Sequence, residues 1–102
     1  INIKDIPIID GTNELILNDT NIPGGTKRNF EYFNSVVQYQ ANKQKINELL
    51  LYDAQTSGGL LISVSKKNTD ILLEELKKEK CLAYNVIGQV VKKQSSHLIQ
   101  VK

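Results

Sequence analysis

Apolar residues form short alternating or continuous runs at four places along the chain, as they do in the β-strands of globular domains. The predicted strands are residues 1–7, 60–64, 81–92 and 97–101. Gly88 interrupts the third of them, which indicates a bulge or a point of close packing. Residues 36–39 are apolar and β-branched, but the run is too short to assign to a helix or a strand.

Apolar residues spaced three or four apart predict four helices. The predicted helices are a short one carrying Leu15 and Ile16, followed by residues 27–34, 43–51 and 69–80. Thr26, Asn42 and Asn68 are suited to cap the last three, because their side chains can accept a hydrogen bond from the first turn. Since strands and helices intermix, the sequence predicts a single α+β domain, with a mixed β-sheet of about four strands covered by helices.

The 69–80 helix has the clearest amphipathic pattern. Leu72, Leu73 and Leu76 share one face, which is predicted to be buried against a sheet whose central strand is residues 60–64. Glu74 and Lys78 are four residues apart and predict a favourable ion pair on the opposite face.

Two polar segments carry paired glycines. Residues 22–30, the 22–30 turn, read Ile-Pro-Gly-Gly-Thr-Lys-Arg-Asn-Phe, and residues 53–59, the 53–59 loop, read Asp-Ala-Gln-Thr-Ser-Gly-Gly. Adjacent glycines are usually kept where the backbone takes a positive φ or approaches another group closely. Considered singly, each segment is explained by a tight turn as well as by a ligand site.

The two segments and residues 86–90, Val-Ile-Gly-Gln-Val, together resemble the C-terminal domain of selenophosphate synthetase (selenide, water dikinase). The motifs occur in that family's order and approximate spacing, and the resemblance covers nearly the whole chain. The family's loop usually has proline where this chain has Ala54, a change that frees the backbone φ and removes no chemical group. The resemblance implies the architecture of aminoimidazole ribonucleotide synthetase C-terminal domains.

Composition limits the classes of partner. The net charge is only +2 and the lysines are scattered, so no nucleic-acid surface is expected. No apolar run approaches the roughly 18 to 20 residues that span a bilayer, and no signal-peptide pattern is present. Cys81 is the only cysteine, which is typical of a reducing cytoplasm. Because the chain contains no methionine, we expect it to be a piece of a longer protein.

The sequence offers no constellation for catalysis or metal binding, so neither is expected from this segment. Ser57 has no base near it in the sequence, and His97 is interpreted as a satisfied or solvent-facing histidine. The only closely spaced carboxylates are Glu74 and Glu75, on an exposed helix face. Cys81 is interpreted as a small apolar residue at a helix end.

Phosphate binding is the one chemistry with local support. The N–H groups of Gly24, Gly25 and the start of the next helix could receive an anion, with added charge from Lys27 and Arg28. Structural capping of the helix is an equal alternative. The candidate residues for phosphate binding or a domain interface are Gly24, Gly25, Thr26, Arg28, Asn29, Asp53, Gln55, Thr56, Ser57, Gly58 and Gly59.

The resemblance supplies an expected function. Selenophosphate synthetases convert selenide, ATP and water to selenophosphate, AMP and phosphate with magnesium, and their catalytic residues precede the region that resembles this chain. The resemblance therefore implies that residues 1–102 are the C-terminal domain of a cytoplasmic enzyme. This domain is expected to contain no catalytic residues and to bind neither ATP nor Mg²⁺ by itself. The implied partners are the N-terminal ATP-binding domain, which is absent here, and a second copy of the full-length enzyme. The alternative is a stand-alone, non-catalytic binding or interaction module on the same scaffold.

The 22–30 turn and the 53–59 loop are expected to lie on the same side of the domain. Both are polar, and neither has an evident role in the core of this domain. Their hydroxyl, amide and guanidinium groups suit an oxygen-rich ligand or a polar domain interface. The predicted location of both segments is the surface that faces the missing domain.

Overall fold

The computed structural model describes residues 1–40, 45–93 and 95–102, and within them helices and strands intermix, as the α+β prediction requires. The helices are α1 (Thr12–Ile16), α2 (Gly24–Phe33), α3 (Lys45–Leu50) and α4 (Thr69–Lys78), and the strands are β1 (Val37–Tyr39) and β2 (Ile99–Val101). Single 3-10 turns cover Ile3–Asp5, Asp19–Asn21, Asn34–Val36 and Lys66–Asn68. None of the helices in the described ranges is long and apolar enough to cross a membrane.

β1 and β2 form a parallel pair although α3 and α4 lie between them in the sequence. Val37 is the partner of Ile99, and Tyr39 is the partner of Val101. The predicted strand at 97–101 is therefore confirmed over its last three residues, and the unassigned residues 36–39 supply its neighbour. The prediction of about four strands is wrong for the described residues, which form a two-stranded sheet.

The N-terminal residues lie along the other edge of β2. Ile1 N donates to the Gln100 carbonyl at 2.7 Å, Lys102 N donates to the Ile1 carbonyl at 2.9 Å, and Ile3 N donates to the Lys102 carbonyl at 3.1 Å. These bonds alternate as they do in a parallel ladder. No strand is assigned to residues 1–7, however, so that prediction is wrong: the chain turns into the 3-10 segment Ile3–Asp5 after two extended residues.

The predicted strand at 81–92 contacts this N-terminal segment, and Asn85 Nδ2 also donates to the Asp5 carbonyl at 3.1 Å. Asn2 N donates to the Ile87 carbonyl at 2.8 Å. A Cβ atom placed on Gly88 would lie 3.0 Å from Ile1 Cα, so Gly88 is a point of close packing, one of the two expectations for it. One backbone bond does not make a ladder, and residues 81–93 have no assigned strand.

The core is small and lies between α2, the sheet and the end of α3. Val37, Tyr52 and Val101 are its buried apolar residues, and Phe30 and Leu51 are among the partly buried residues packed against them. The rings of Phe30 and Tyr52 meet edge to face with centroids 5.2 Å apart, a favoured aromatic geometry. This contact packs α2 against the residues that follow α3.

The prediction of a central strand at 60–64 is wrong. The segment has no assigned strand, and Leu60 and Leu61 are 88% and 79% exposed. Leu82 and Val90, in the segment after α4, are also fully or largely exposed. Apolar, β-branched residues favour a strand only when a neighbouring strand receives their backbone hydrogen bonds and another layer covers their side chains. Within the part of the chain that the structure describes, residues 60–64 have neither a pairing strand nor a covering layer.

The observed helices match the predicted helices better than the strands do, and they differ from them mainly at their ends. α2 begins at Gly24, three residues earlier than predicted, so Thr26 is a buried residue of the helix and not its N-cap. Asn68 stands at the N-cap of α4 but makes no side-chain capping bond. The predicted cap Asn42 lies outside the described residues.

α4 differs from its prediction in burial. None of its residues is buried, and Leu72, Leu73 and Leu76 are only half-buried, so the predicted buried stripe is wrong. Lys78 pairs with Glu75 at 2.6 Å, one position beyond the predicted partner Glu74.

Candidate functional site

The N-terminus of α2 is formed by the paired glycines of the 22–30 turn. Pro23 occupies the N-cap position and makes no side-chain capping bond, so the first N–H groups of the helix are not capped by that residue. The guanidinium of Arg28 lies over this end, since a Cβ atom on Gly24 would be 3.3 Å from an Arg28 terminal nitrogen. The helix end and a positive side chain therefore lie together at Gly24.

Thr26 joins this helix end to the 53–59 loop. Its side chain is 2% exposed. The hydroxyl donates to Asp53 Oδ1 at 3.1 Å and accepts a longer bond from the Ala54 N–H at 3.4 Å. The two glycine-bearing segments, which are separate in the sequence, are therefore in direct contact.

The contact continues along one face of α2. Asn29, three residues after Thr26, donates from Nδ2 to the Tyr52 carbonyl at 3.1 Å. Residues three apart on a helix lie on the same face, so α2 holds residues 52–54 at two successive points. Tyr52 is itself held by Tyr39, whose hydroxyl lies 2.9 Å from the Tyr52 hydroxyl.

The electrostatics of this tyrosine pair are unusual. Burial raises the pKa of the Tyr39 phenol, and the hydrogen bond between the Tyr39 and Tyr52 hydroxyls and the charge of the nearby Glu48 raise that pKa further. Glu48 is 7% exposed, and its Oε1 atom has no hydrogen-bond partner among the described residues. Tyr39 therefore remains neutral at physiological pH. Its hydroxyl and that of Tyr52 form a hydrogen-bonded pair next to the start of the loop.

Two of the glycines lie in close approach to a neighbouring side chain, and only at Gly25 is the neighbouring atom one that cannot rotate away. A Cβ atom on Gly25 would lie 2.9 Å from Ala54 Cβ, which is shorter than real side chains allow. A Cβ atom on Gly58 would collide with the Gln55 side chain, which folds back over it. Gln55 also binds Asp53, through its N–H to the Asp53 carbonyl at 3.1 Å and through Nε2 to Asp53 Oδ2 at 3.4 Å.

The other residues of the loop are not brought to the junction. Thr56, Ser57 and Gly59 are exposed, and a Cβ atom on Gly59 would have nothing within 4 Å. The structure thus brings together Gly24, Gly25, Thr26, Arg28, Asn29, Asp53 and Gln55, with Gly58 packed behind Gln55.

Asp53 lies at the edge of two cavities. The first, of about 290 Å³, is bounded by Asn29, Phe33, Tyr52 and the ends of both strands. The second, of about 360 Å³, lies between residues 3–13 and the 50–55 segment, with Gln55 and Asp53 on its rim. Asp53 is therefore exposed and lines both cavities in addition to binding Thr26.

The sequence analysis did not identify Tyr39, Tyr52 and Glu48 as supports of this site. Tyr52 directly precedes the 53–59 loop, and that adjacency was the available signal. The contribution of Tyr39 depends on β1, which was too short to recognise. Among the described residues, no three His, Cys, Asp or Glu side chains lie close enough to hold a metal ion.

Comparison with known proteins identifies the family. Residues 15–100 match the C-terminal domain family of AIR synthase related proteins. Selenide, water dikinase from Aliarcobacter butzleri is 36% identical over 88 residues, which are 86% of this chain and 25% of that protein. The Campylobacter jejuni enzyme of the same name is 39% identical over 96 residues, 94% of this chain and 26% of its own length.

The selenide, water dikinase from Clostridioides difficile is 35% identical over 95 residues, 93% of this chain and 27% of that protein. The chain thus spans about a quarter of the length of the curated relatives it matches. No solved structure matches it. These relatives confirm the resemblance to the C-terminal domain of selenophosphate synthetase, and the chain belongs to the family of AIR synthase related protein C-terminal domains.

Proposed function

We propose that this chain is the C-terminal domain of an ATP-dependent selenide, water dikinase and that it supports the phosphate site without supplying catalytic groups. The relatives that match it carry that enzyme's name. The observation that carries the supporting role is the hydrogen bond of 3.1 Å between Thr26 and Asp53, which joins the two glycine-bearing segments into one polar surface.

The end of α2 is the part of this surface best suited to phosphate. Its leading N–H groups and helix dipole favour an anion. Arg28 lies over the same end, where a positive charge opposes the dipole by roughly 0.3 to 1 kcal/mol unless an anion offsets it. Phosphate oxygens of ATP or of its products are the anions that the proposed reaction offers.

The domain is proposed to form one wall of the active site and to exclude water from it. In phosphoryl transfer, protein groups act mainly by positioning the phosphates and stabilising their charge. The described residues do not fit a magnesium site of their own, because they contain no cluster of suitable ligands. We therefore assign magnesium, most of the ATP contacts and the reacting groups to the N-terminal domain of a full-length, cytoplasmic homodimer.

The proposal is tested by measuring selenide-dependent AMP formation. The full-length protein that contains this chain is expected to form AMP only when selenide is present, whereas the purified 102-residue chain is expected to form none. Arg28→Ala in the full-length enzyme is expected to lower activity while leaving the unfolding midpoint nearly unchanged, because Arg28 is exposed. AMP formation by the 102-residue chain alone would contradict the supporting role.

A matched control is available at Lys67, which is exposed and lies in the 3-10 turn before α4. Lys67→Ala removes one positive charge, as Arg28→Ala does, but far from α2 in the sequence. Equal losses of activity in the two variants would indicate a general charge effect and would argue against a phosphate site at α2.

A further inference from the structure

We infer that Thr26 is a positioning residue: its hydroxyl holds the Asp53 carboxylate and the start of the 53–59 loop against α2, so that both segments present one preformed surface to ATP. The inference rests on the proposed function and assigns a role within it to one atom, the Thr26 Oγ1. It also predicts which change at this position is tolerated and which is not.

The hydroxyl, and not the bulk of the side chain, makes the connection. Thr26 Oγ1 is a donor to Asp53 and an acceptor from the Ala54 N–H at the same time. Valine has nearly the same shape as threonine but can make neither bond, so it leaves the Ala54 N–H and one Asp53 oxygen without these partners. Serine keeps both bonds and loses only a methyl group.

The group that Thr26 orients is accessible to a ligand. Asp53 is exposed and lines both cavities, whereas Thr26 is buried. Asp53 then orients Gln55 through two further contacts, so the hold of Thr26 extends along the loop. A buried residue that fixes an exposed carboxylate is suited to preorganising a binding surface, because the ordering is complete before the ligand arrives.

The kinetic test compares Thr26→Val, Thr26→Ser and the control Thr20→Val in the full-length enzyme. Thr20 also donates through its hydroxyl, to Asn18 Oδ1 at 2.8 Å, but in an exposed turn outside the site. We expect Thr26→Val to raise KM for ATP about tenfold or more, the scale of a lost bond to a charged group. KM for selenide should stay unchanged in Thr26→Val. KM for ATP should lie within about threefold of the wild-type value in Thr26→Ser and should equal the wild-type value in Thr20→Val.

A second measurement does not depend on activity. Hydrogen exchange, followed by mass spectrometry on the same proteins, reports the order of residues 53–59. Thr26→Val is expected to speed exchange in this loop, whereas Thr26→Ser and Thr20→Val are not. If Thr26→Val does not fold, Asp53→Ala removes the other partner at an exposed position and is expected to speed exchange in the same loop.

The outcomes separate this inference from the proposed function. If the wild-type enzyme forms no AMP with selenide, the proposed function fails, and the exchange measurements alone decide whether Thr26 holds the loop. An unchanged KM for ATP in folded Thr26→Val, or a failure of serine to restore it, overturns the positioning role. Unchanged exchange in both Thr26→Val and Asp53→Ala overturns it as well.

Discussion

At the scale of single residues, the neighbours of Thr26 and Gly25 decide what each residue does. Threonine after a Pro-Gly-Gly turn predicts an N-cap, but α2 already includes both glycines, so the Thr26 hydroxyl turns to the 53–59 loop. Gly25 was a candidate for phosphate binding, and its closest constraint is now the methyl group of Ala54. Substitutions of Gly25 are therefore expected to affect stability, because the contact with Ala54 leaves no room for a side chain.

We expect Gly25→Ala to destabilise the domain by about 1 to 3 kcal/mol, because the new methyl group overlaps Ala54 Cβ. The measurement is the free energy of unfolding in urea. In an Ala54→Gly background the same change should be neutral or stabilising, since the overlap is gone and alanine favours helix over glycine. If Gly25→Ala destabilised the wild type and the Ala54→Gly protein equally, the contact between residues 25 and 54 would not be the cause of the destabilisation.

A second prediction at this scale concerns Tyr39. Its pKa is raised in the folded state above the usual 10.0, so the unfolded chain loses this proton first as the pH rises. The stabilisation is complete below about pH 10 and is lost above it. Between pH 9 and 11, roughly one unit either side of the unfolded pKa, the wild type should lose stability more steeply than Tyr39→Phe. Parallel curves for the two proteins would show that Tyr39 is not the group responsible.

At the scale of secondary structure, the helices followed local patterns and the strands did not. All four predicted helices are present, with ends that shift by a few residues, because helical hydrogen bonds lie within the segment itself. A strand needs a partner distant in the sequence. Residues 37–39 pair with β2 although the apolar run around them is short. Residues 60–64 have a stronger strand pattern but pair with no other strand of the described chain.

α4 provides the prediction at this scale. Leu76 was expected to be core, with a cost of roughly 2 to 5 kcal/mol on truncation to alanine. Because Leu76 is only half-buried, we now expect about 1 kcal/mol. Val101→Ala, at a site 3% exposed, should cost more, about 2 kcal/mol, although it removes fewer atoms. The free energies of unfolding of both variants are measured in urea. A larger loss in Leu76→Ala than in Val101→Ala would indicate that α4 is part of the core and would contradict the prediction.

At the scale of the whole molecule, the domain is loosely packed and exposes much apolar surface. Its radius of gyration is 15.0 Å, compared with about 13 Å for a compact domain of this length. The exposed large apolar side chains are concentrated before and after α4, in residues 60–64 and 82–91. Apolar surface of this kind associates with other apolar groups when it is accessible.

We expect the 102-residue chain to bind a hydrophobic dye such as ANS while α2 and α4 remain folded, since the two flanking segments are accessible. The substitutions Leu61→Ser and Val90→Ser should each lower the fluorescence of the bound dye. Glu31→Ser, on exposed polar surface, is the matched control and should leave it unchanged. A native chain that binds no dye would contradict the exposure of these segments.

The sequence by itself determined the family, the helices, the α+β class and the two glycine-bearing segments of the site. These depend on local periodicity and on motifs that are continuous in the chain. The candidate residues taken from the sequence include Thr26, Asn29, Asp53 and Gln55, but not Tyr52 or Ala54, which also contact α2.

Only the tertiary structure decided which segments pair and which residues meet. In the folded chain the short 37–39 strand pairs with β2, whereas the longer apolar runs do not form strands. Thr26 is buried within α2, and the hydroxyls of Tyr39 and Tyr52 contact each other next to the loop. These outcomes depend on contacts between residues far apart in the chain. Hydrogen-bond partners and side-chain burial at such contacts are properties of the packed chain, and no local pattern encodes them.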